Sequence, residues 1–430
     1  MTEPQSSTET ETVNLITLAT HCIHATLLAS KPIQSYRTKS RTKSDGTLVT
    51  DADGAAQRII YNEIRTFDQA VRIIGEESDL EMESSSSKLH QEQSNCDWDC
   101  SAALYSDGQN KELFRQVEKN VHLHAPKSVE METKRVSIFV DPLDGTSSYA
   151  KGYYEAVTIL VAIIVDNAPV FGVIVKPFGE GTQLHCFKNT DCSVLYGGTL
   201  IGGAFVMGAE ELDRSRIWRK KECQKEGRER LGALGNVDAD CKRQKLIQDK
   251  GNSPDGGPSP TSAMALNLDV KANASSSLTS SANNLCAEPN GAGKENDPIL
   301  SSCKRRAIIS KSRAGGVVQK CIESLSSLDL IHRQPLYITG AGYKTMKLLL
   351  GEEDEALWFF PKPGTSLWDV AAADALLRVM GGRISDKFGR DLDYGKGRLE
   401  ADNLDGIIAC SDSILHAKCI ELYKKEKWED

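Results

Sequence analysis

Segments with regular apolar spacing alternate along the chain with segments that lack it. From Val13 to Ser30 apolar residues recur every three or four positions, which predicts a helix, and Gly54–Phe67 repeats that spacing. Two nearly continuous apolar runs, Val157–Val165 and Val170–Lys176, predict the strands of a hairpin. Because neither run alternates with polar residues, the sheet that contains them is expected to be covered on both faces.

The last part of the chain predicts strands and helices in alternation. The predicted strands are Arg306–Ser310, Leu336–Thr339, Ala356–Phe360 and Gly406–Cys410, and the predicted helices are Gly315–Leu325, Gly342–Leu350, Asp369–Met380 and Ile414–Lys425. Such alternation is typical of α/β architecture, whereas the first part places helices before a hairpin. An α+β first half followed by an α/β second half is therefore the predicted fold class.

Two polar segments interrupt this pattern and are predicted to be insertions. Residues 81–130 contain four consecutive serines, with one helix expected near Gln109–Asn120. Residues 209–302 are highly charged and then rich in Ser, Gly, Pro and Asn, so they bury too little apolar surface to offset their ordering entropy and are predicted to be mostly disordered. The predicted organisation is a disordered tail at 1–12, an α+β domain at 13–208, the insertion at 209–302 and an α/β domain at 303–430.

Composition and charge narrow the class of protein. The 430 residues include 26% charged and 40% hydrophobic residues, as in ordinary globular enzymes. A net charge of -8 argues against a general nucleic-acid-binding surface. No apolar run approaches the roughly 20 residues of a membrane span, and the polar start lacks the pattern of a signal or transit peptide. A cytoplasmic protein without nucleic-acid or membrane partners is predicted, and no pattern indicates an oligomeric state.

The segment Asp-Pro-Leu-Asp-Gly-Thr at 141–146 carries the strongest chemical signal, because it follows an apolar strand. The carboxylates of Asp141 and Asp144 and the carbonyl of Leu143 can supply three oxygens to a hard cation. The glycine permits close approach of an anion, and the threonine hydroxyl can hold a water or a phosphate oxygen. A tight turn would use the same residue types, so the segment alone does not decide between the two.

Two further acidic sites stand at predicted element ends. Glu76 and Glu77 follow a short apolar strand, and Asp369 opens an apolar helix, where it is expected to be the N-cap. Each alone could be a solvated strand end or a helix cap. Three carboxylate sites together with a Gly-Thr phosphate cradle indicate Mg²⁺-assisted phosphoryl chemistry.

In this order the motifs resemble those of the lithium-sensitive, Mg²⁺-dependent phosphatases of the inositol monophosphatase superfamily. That family has Gly-Glu-Glu, then Asp-Pro-(Ile/Leu)-Asp-Gly-Thr, then Trp-Asp-x-x-Ala, which here stand at 75–77, 141–146 and 368–372. The resemblance covers roughly residues 13–80, 135–208 and 300–425. It implies a sugar-phosphatase-type fold of helices, sheet, helices, sheet and helices, with the active site between the two halves.

The resemblance also implies a cofactor of two or three Mg²⁺ ions. One ion is expected on Glu76, Asp141 and the Leu143 carbonyl. A second is expected on Asp141, Asp144 and Asp369. These ions would activate a water and neutralise the phosphate ester.

The same resemblance assigns the base and the phosphate contacts. Asp53, hydrogen-bonded to Thr146, resembles the family's Thr–Asp pair, with Glu76 or Glu77 assisting. Chemistry alone would allow Asp51 in place of Asp53, and either could instead cap the helix that follows. The backbone N–H groups of Gly145 and Thr146 are expected to bind the scissile phosphate.

Three other segments resemble the 3′(2′),5′-bisphosphate nucleotidase branch, namely Gly172–Phe178, Ile309–Arg313 and Gly340–Lys344. Arg313, after Ser312, stands where that branch has His, and Arg can also stack on planar rings. Lys344 is the candidate contact for a second phosphate. Together these residues predict removal of the 3′-phosphate of adenosine 3′,5′-bisphosphate or of 3′-phosphoadenosine 5′-phosphosulfate.

Other substrates stay open at this point. The segment 340–344 also resembles inositol polyphosphate 1-phosphatases, and inositol monophosphatase activity is a further alternative. A catalytically inactive relative that binds a phosphorylated ligand is the alternative outside enzymes. It would lack a metal ligand, and all the expected ligands are present in the sequence.

Overall fold

The computed structural model describes residues 11–35, 40–42, 48–77, 106–125, 128–179, 186–187, 190–208 and 305–426. The insertion expected at 209–302 and most of the tail expected at 1–12 lie outside these ranges, so their disorder stays a prediction. Within the described ranges no helix is both long and apolar enough to cross a membrane. The cytoplasmic location likewise stays a prediction.

The first part of the chain contains ten strands and four helices among the described residues. In chain order they are β1 Thr12–Asn14, α1 Leu15–Ser35, β2 Ser40–Thr42, β3 Leu48–Thr50, α2 Asp51–Phe67, β4 Arg72–Gly75, α3 Asp107–His122, β5 Glu130–Glu132, β6 Val136–Asp144, α4 Thr146–Ala150, β7 Thr158–Val165, β8 Ala168–Lys176, β9 Ser193–Gly198 and β10 Gly203–Val206. Six of these strands form one sheet in the order β10-β9-β8-β7-β6-β4. β4 pairs parallel with β6, and the other neighbours pair antiparallel.

The second part of the described chain builds a five-stranded sheet. Its elements are β11 Arg306–Ile309, α5 Val317–Ser327, β12 Leu336–Tyr337, α6 Ala341–Leu350, β13 Glu355–Phe360, α7 Leu367–Val379, β14 Arg383–Ser385, β15 Ile407–Cys410 and α8 Ser413–Glu426. The strand order is β12-β11-β13-β15-β14, with β11 parallel to both β12 and β13. β15 pairs antiparallel with β13 and β14.

Helices cover both sheets and give five layers. α1 and α2 contact the first sheet on one side, while α6 and α7 each contact strands of both sheets and so lie between them. α8 contacts β14 and β15 and also packs against α5 on the outer side. All residues of β7 are buried, as expected for a strand covered on both faces. The predicted fold class and layer order are confirmed.

The helix predicted within residues 81–130 spans Asp107–His122. Its apolar residues Leu113, Val117 and Val121 are buried and belong to the same hydrophobic core as α1. This helix, α3, is therefore part of the hydrophobic core that also contains α1.

Asp369 is not the N-cap that the sequence predicted. α7 begins at Leu367, and Ser366 is its N-cap, with extended backbone angles. Asp369 is the third residue of the helix and accepts a hydrogen bond from the Ser366 N–H at 2.7 Å. The reciprocal side-chain arrangement is a capping box, which directs the Asp369 carboxylate back over the helix start.

Glu63 on α2 ties the first two helices together. Its Oε1 lies 2.9 Å from His21 Nδ1 and 2.8 Å from His24 Nδ1, both on α1. Burial would raise the pKa of Glu63, but hydrogen bonds and charge from the two histidines outweigh it and lower the pKa to about 2. The ionised Glu63 therefore stabilises the folded state.

We expect Glu63→Gln to lower the free energy of unfolding by about 2 kcal/mol at pH 7. Because the folded-state pKa is depressed, this stabilisation is present above the ordinary value of 4.5 and is lost as the pH falls toward 2. Urea unfolding at pH 7 and pH 3 measures it, with the exposed Glu112→Gln as the control. An equal difference between variant and wild type at both pH values would contradict this account.

Candidate active site

The turn after β6 presents the Asp-Pro-Leu-Asp-Gly-Thr segment at the end of the first sheet. The pairing of β6 with β7 shifts register between Asp141 and Asp144, as in a β-bulge. Gly145 follows with φ +87, and a Cβ there would lie 2.9 Å from the Ala156 carbonyl oxygen. Only glycine fits this position without strain, so α4 can begin immediately at Thr146.

Thr146 and Asp53 meet as the resemblance implied. Thr146 Oγ1 lies 3.2 Å from Asp53 Oδ1 and 3.0 Å from the Leu143 carbonyl oxygen. The other carboxylate oxygen of Asp53 accepts from the N–H and the hydroxyl of Thr50, the N-cap of α2. Neither Asp51 nor Asp53 is therefore the N-cap that the sequence allowed: the buried Asp53 is the third residue of α2, completes the capping box of Thr50 and also meets Thr146.

Four carboxylates from three parts of the chain share one electrostatic environment. Burial and then the charges of Glu76, Asp144 and Asp369 raise the pKa of Asp141 well above its ordinary range. Burial, Asp144 and Glu76 likewise raise the pKa of Asp369 to about 8. Like charges held together in a buried site favour a bound cation, which would stabilise the ionised forms.

Asp144 connects this acidic cluster with the second half of the chain. Its Oδ1 accepts from the Ala341 N–H at 3.0 Å, and its Oδ2 accepts from the Gly342 N–H at 2.8 Å and the Thr158 hydroxyl at 2.7 Å. Ala341 and Gly342 open α6, so a negative charge stands at the helix N-terminus, where the dipole favours it. α6 is thereby held against the acidic cluster.

The donor set fits a hard divalent cation by its chemistry. Its members are the carboxylates of Glu76, Asp141, Asp144 and Asp369 and the Leu143 carbonyl, all of them oxygen ligands of the kind that Mg²⁺ prefers. In the part of the chain that the structure describes, no group of three or more Asp, Glu, His or Cys side chains is arranged as a complete metal site. The assignment of these residues to a divalent cation therefore rests on their oxygen donors and on the raised pKa values of Asp141 and Asp369.

A cleft of about 490 Å³ opens beside this cluster. Asp144, Gly145 and Asp369 line it on the acidic side. Ser312, Arg313 and Lys344, predicted as substrate contacts, line the same cleft. The structure thus brings residues from both halves of the chain, far apart in sequence, to one cavity.

Lys344 is a buried cation within this cleft. It is 5% exposed, its Nζ lies 2.9 Å from Ser310 Oγ, and the ammonium stands 4.9 Å from the centre of the Trp358 ring. Burial outweighs the attraction of Asp144 and Asp369 and lowers the pKa of Lys344 to about 8. An anion beside Lys344 would restore its ordinary basicity, which makes the site suitable for a phosphate.

Arg313 lines the cleft and is held by two contacts. Its Cζ lies 4.4 Å from the centre of the Phe360 ring, and its Nη1 donates to the Gly364 carbonyl at 3.0 Å. The guanidinium carbon thus lies over the Phe360 ring at the distance of a cation–π contact.

Several cleft residues were not identified from the sequence. Trp358 and Phe360 line the cleft, and their spacing of two on a predicted strand places them on one face, a signal that could have found them. Lys151 and Tyr153 also line it, shortly after the Asp-Pro-Leu-Asp-Gly-Thr segment. Tyr153 is 69% exposed, so an aromatic ring stands at the mouth of the cleft.

Comparison with known proteins gives consistent matches. The family model described as Inositol monophosphatase family matches residues 10–231. The 3′(2′),5′-bisphosphate nucleotidase 1 of Dictyostelium discoideum is 23% identical over 428 residues, covering 97% of this chain and 99% of that protein. The Golgi-resident adenosine 3′,5′-bisphosphate 3′-phosphatase of Rattus norvegicus is 37% identical over 81 residues, 18% of this chain and 22% of that protein.

Solved structures of similar proteins were also found. The extragenic suppressor protein suhB from Bartonella henselae is 13% identical, with a TM-score of 0.47 and coverage of 95% of this chain and 99% of that one. CysQ from Bacteroides thetaiotaomicron, a bacterial member of the inositol monophosphatase family, is 16% identical, with a TM-score of 0.43 and coverage of 92% and 97%.

Proposed function

Because the chain belongs to the inositol monophosphatase family, we propose that it is a Mg²⁺-dependent phosphatase that removes the 3′-phosphate of adenosine 3′,5′-bisphosphate or of 3′-phosphoadenosine 5′-phosphosulfate. The observation that carries the proposal is that one cleft is lined both by the carboxylates of Asp144 and Asp369 and by the buried ammonium of Lys344. The carboxylates suit metal ions that bind the phosphate to be cleaved. The ammonium suits a second phosphate of the same substrate.

The relatives point to the same substrate class. The Dictyostelium discoideum relative, which spans nearly the whole chain, is a 3′(2′),5′-bisphosphate nucleotidase by name, and the Rattus norvegicus relative is an adenosine 3′,5′-bisphosphate 3′-phosphatase. Arg313 and Tyr153, at the wall and the mouth of the cleft, offer planar groups against which a nucleobase can stack.

The proposed metal ligands are Glu76, Asp141, the Leu143 carbonyl, Asp144 and Asp369. Bound Mg²⁺ would supply Lewis-acid stabilisation of the ester and a water of lowered pKa. The N–H groups of Gly145 and Thr146, where α4 begins, are proposed to bind the scissile phosphate. Lys344 holds the second phosphate, so the substrate is anchored at both ends and the ester bond is kept in one orientation.

Thr146 and Asp53 are proposed to handle the proton of the attacking water. The Thr146 hydroxyl has one hydrogen, which it donates to Asp53 Oδ1 or to the Leu143 carbonyl, and its oxygen then accepts a hydrogen from the water. A proton leaving the water passes through this hydroxyl toward Asp53. Glu77, which is 2% exposed and follows Glu76 directly, is the assisting carboxylate.

Thr146→Ala should lower kcat by about a hundredfold, since it removes the group that orients the water. The Mg²⁺ concentration for half-maximal activity should stay near the wild-type value, because the threonine side chain is not a proposed ligand. Thr146→Ser keeps the hydroxyl and is the matched control. An unchanged kcat in Thr146→Ala would remove the Thr–Asp pair from the mechanism.

One assay tests the proposed function directly. The purified full chain is given adenosine 3′,5′-bisphosphate, inositol 1,4-bisphosphate and inositol 1-phosphate, each with Mg²⁺ and with EDTA. The highest kcat/KM is expected for the nucleotide, and only with Mg²⁺. A preference for inositol 1,4-bisphosphate would replace this substrate with the inositol polyphosphate, and no release from any of the three would favour a non-catalytic relative.

A further inference from the structure

The backbone of Glu76 and Glu77 is hydrogen-bonded at each of its four polar groups. The Glu76 N–H donates to the Val140 carbonyl at 3.1 Å, and the Glu76 carbonyl accepts from Arg398 Nε at 3.0 Å and Nη2 at 2.6 Å. The Glu77 N–H donates to Gln57 Oε1 at 2.9 Å, and Gln57 Nε2 donates to the Glu77 carbonyl at 2.7 Å. Two side chains therefore hold the peptide groups of the two glutamates.

The position of β4 explains why such side-chain bonds are needed. β4 is the last strand of its sheet, with β6 on one side, and it ends at Gly75. Residues beyond the end of an edge strand have no neighbouring strand on the outer side. The Gln57 amide and the Arg398 guanidinium supply the missing partners.

Gly75 is adapted to this arrangement. A Cβ at Gly75 would lie 2.5 Å from Gln57 Oε1 and 2.6 Å from the Tyr61 hydroxyl oxygen. Only a residue without a side chain lets the Gln57 amide come close enough to bond Glu77. The glycine of the Gly-Glu-Glu motif thus makes room for the contact that holds the second glutamate.

Arg398 reaches Glu76 from the other half of the chain. It stands in a short 3₁₀ helix, Arg398–Glu400, between β14 and β15. The next residues support the start of α7, because the Leu367 N–H donates to the Ala401 carbonyl at 2.8 Å. One short segment therefore contacts the backbone of Glu76 and also the helix turn that carries Asp369.

We propose that Arg398 and Gln57 are positioning residues that hold the Glu76–Glu77 backbone, so that the Glu76 carboxylate stays beside Asp141 and Asp369. The inference rests on the proposed metal-assisted function. Arg398 is suited to the task because its planar guanidinium donates two converging hydrogen bonds to one carbonyl oxygen, a fixed geometry that the single ammonium of a lysine does not reproduce. Neither residue touches the substrate in this proposal.

The test compares Arg398→Lys, Arg398→Ala and Gln57→Met with the wild type in the full chain. The Mg²⁺ concentration for half-maximal phosphate release should rise about ten- to a hundredfold in each variant, as for residues that orient metal ligands. KM for the substrate at saturating Mg²⁺ should change little. The rise in melting temperature that Mg²⁺ produces in the substrate-free protein should shrink in parallel.

Arg72→Ala is the matched control. Arg72 is exposed and donates to the Lys396 carbonyl in the same segment at 3.4 Å, but it bonds neither glutamate carbonyl in the contacts above. Arg72→Ala should keep the wild-type Mg²⁺ concentration for half-maximal phosphate release and the wild-type rise in melting temperature with Mg²⁺. If the Arg398 and Gln57 variants keep wild-type Mg²⁺ dependence, or lose equal stability with and without Mg²⁺, the positioning role is wrong.

The proposed phosphatase function and the positioning role of Arg398 and Gln57 are overturned by different results. A wild-type protein that releases no phosphate from any substrate in the panel would overturn the proposed function. The Mg²⁺-induced shift in melting temperature needs no substrate, and it still decides whether Arg398 and Gln57 support a metal site. Arg398→Lys preserves the charge and most of the volume, so a folded variant is available if Arg398→Ala does not fold.

Discussion

Asp141→Asn should lower kcat about a thousandfold or more while the protein stays folded. Asp141 is buried among Glu76, Asp144 and Asp369 and is a proposed ligand of both principal ions. The amide removes a negative charge with almost no change in volume, and metal-ion stabilisation of a transition state is worth several kcal/mol. The amide oxygen can still accept the hydrogen bond from the Leu143 N–H that Asp141 Oδ1 accepts at 3.1 Å.

The stability of the same variant provides the second measurement. Because burial and neighbouring carboxylates raise the pKa of Asp141, its charge is costly in the metal-free protein, and its loss should leave the melting temperature unchanged or higher. The stabilisation by Mg²⁺ should then be largely lost. Near-wild-type turnover at saturating Mg²⁺ would remove Asp141 from the ligand set.

Asp374→Asn is the control for a buried aspartate outside the cleft. Asp374 pairs with Arg378 at 2.6 Å and accepts from the Tyr394 hydroxyl at 3.0 Å. Burial raises the pKa of Asp374 as well, but its replacement leaves the Arg378 guanidinium and the Tyr394 hydroxyl without a full set of acceptors, so stability should fall while the Mg²⁺-dependent rate per folded molecule is retained. The two variants should therefore show opposite patterns of activity and stability.

Lys344→Ala should raise KM for adenosine 3′,5′-bisphosphate about ten- to a hundredfold, and KM for a monophosphate far less. Removing a charge-assisted contact from a desolvated site costs roughly 1.5–3 kcal/mol, which corresponds to that range. Lys344 is 5% exposed and lines the same cleft as Asp144 and Asp369, and we expect it to bind the second phosphate of a bisphosphate substrate.

The pH dependence of KM gives a sharper test of Lys344. Burial lowers the pKa of Lys344 to about 8, so the ammonium is charged below that pH and neutral above it. In the wild type, KM for the bisphosphate should rise as the pH passes about 8, and Lys344→Ala should lack this rise. The rise should be absent for a monophosphate.

Lys347→Ala on the same helix is the control. Lys347 pairs with Glu352 at 3.0 Å, and it is not among the residues lining the cleft. It should leave both KM values unchanged. An equal rise in KM for the bisphosphate and the monophosphate in Lys344→Ala would mean that Lys344 shapes the cleft generally and does not bind a second phosphate.

Local patterns in the sequence were sufficient to predict the longer helices and the central hairpin. The hairpin predicted from Val157–Val165 and Val170–Lys176 is present, and it turns at Asp166 and Asn167, which both have positive φ, as a type I′ turn requires. Helices with apolar residues every three or four positions were found to within a few residues. Such patterns depend only on residues that are close in sequence, so they can be recognised without knowledge of the tertiary structure.

Short strands and helix starts were less predictable. β9 and β14 were not predicted, because short strands with Gly or polar residues gain their stability from pairing with distant strands. The start of α7 was placed at Asp369 because an aspartate before an apolar run is a common cap. Ser366 fills that role instead, since only the backbone angles decide which polar residue caps the helix.

The sequence by itself determined the fold class, the acidic motifs and the resemblance to one phosphatase family, because residue types and short spacings carry that information. Only the tertiary structure decided that Lys344 and Asp144 share a cleft and that Asp53, and not Asp51, meets Thr146. It alone brought Arg398 to the Glu76 carbonyl, across more than three hundred residues of sequence. Contacts of this kind depend on strand register and on how the layers of the two halves pack, and no local pattern encodes them.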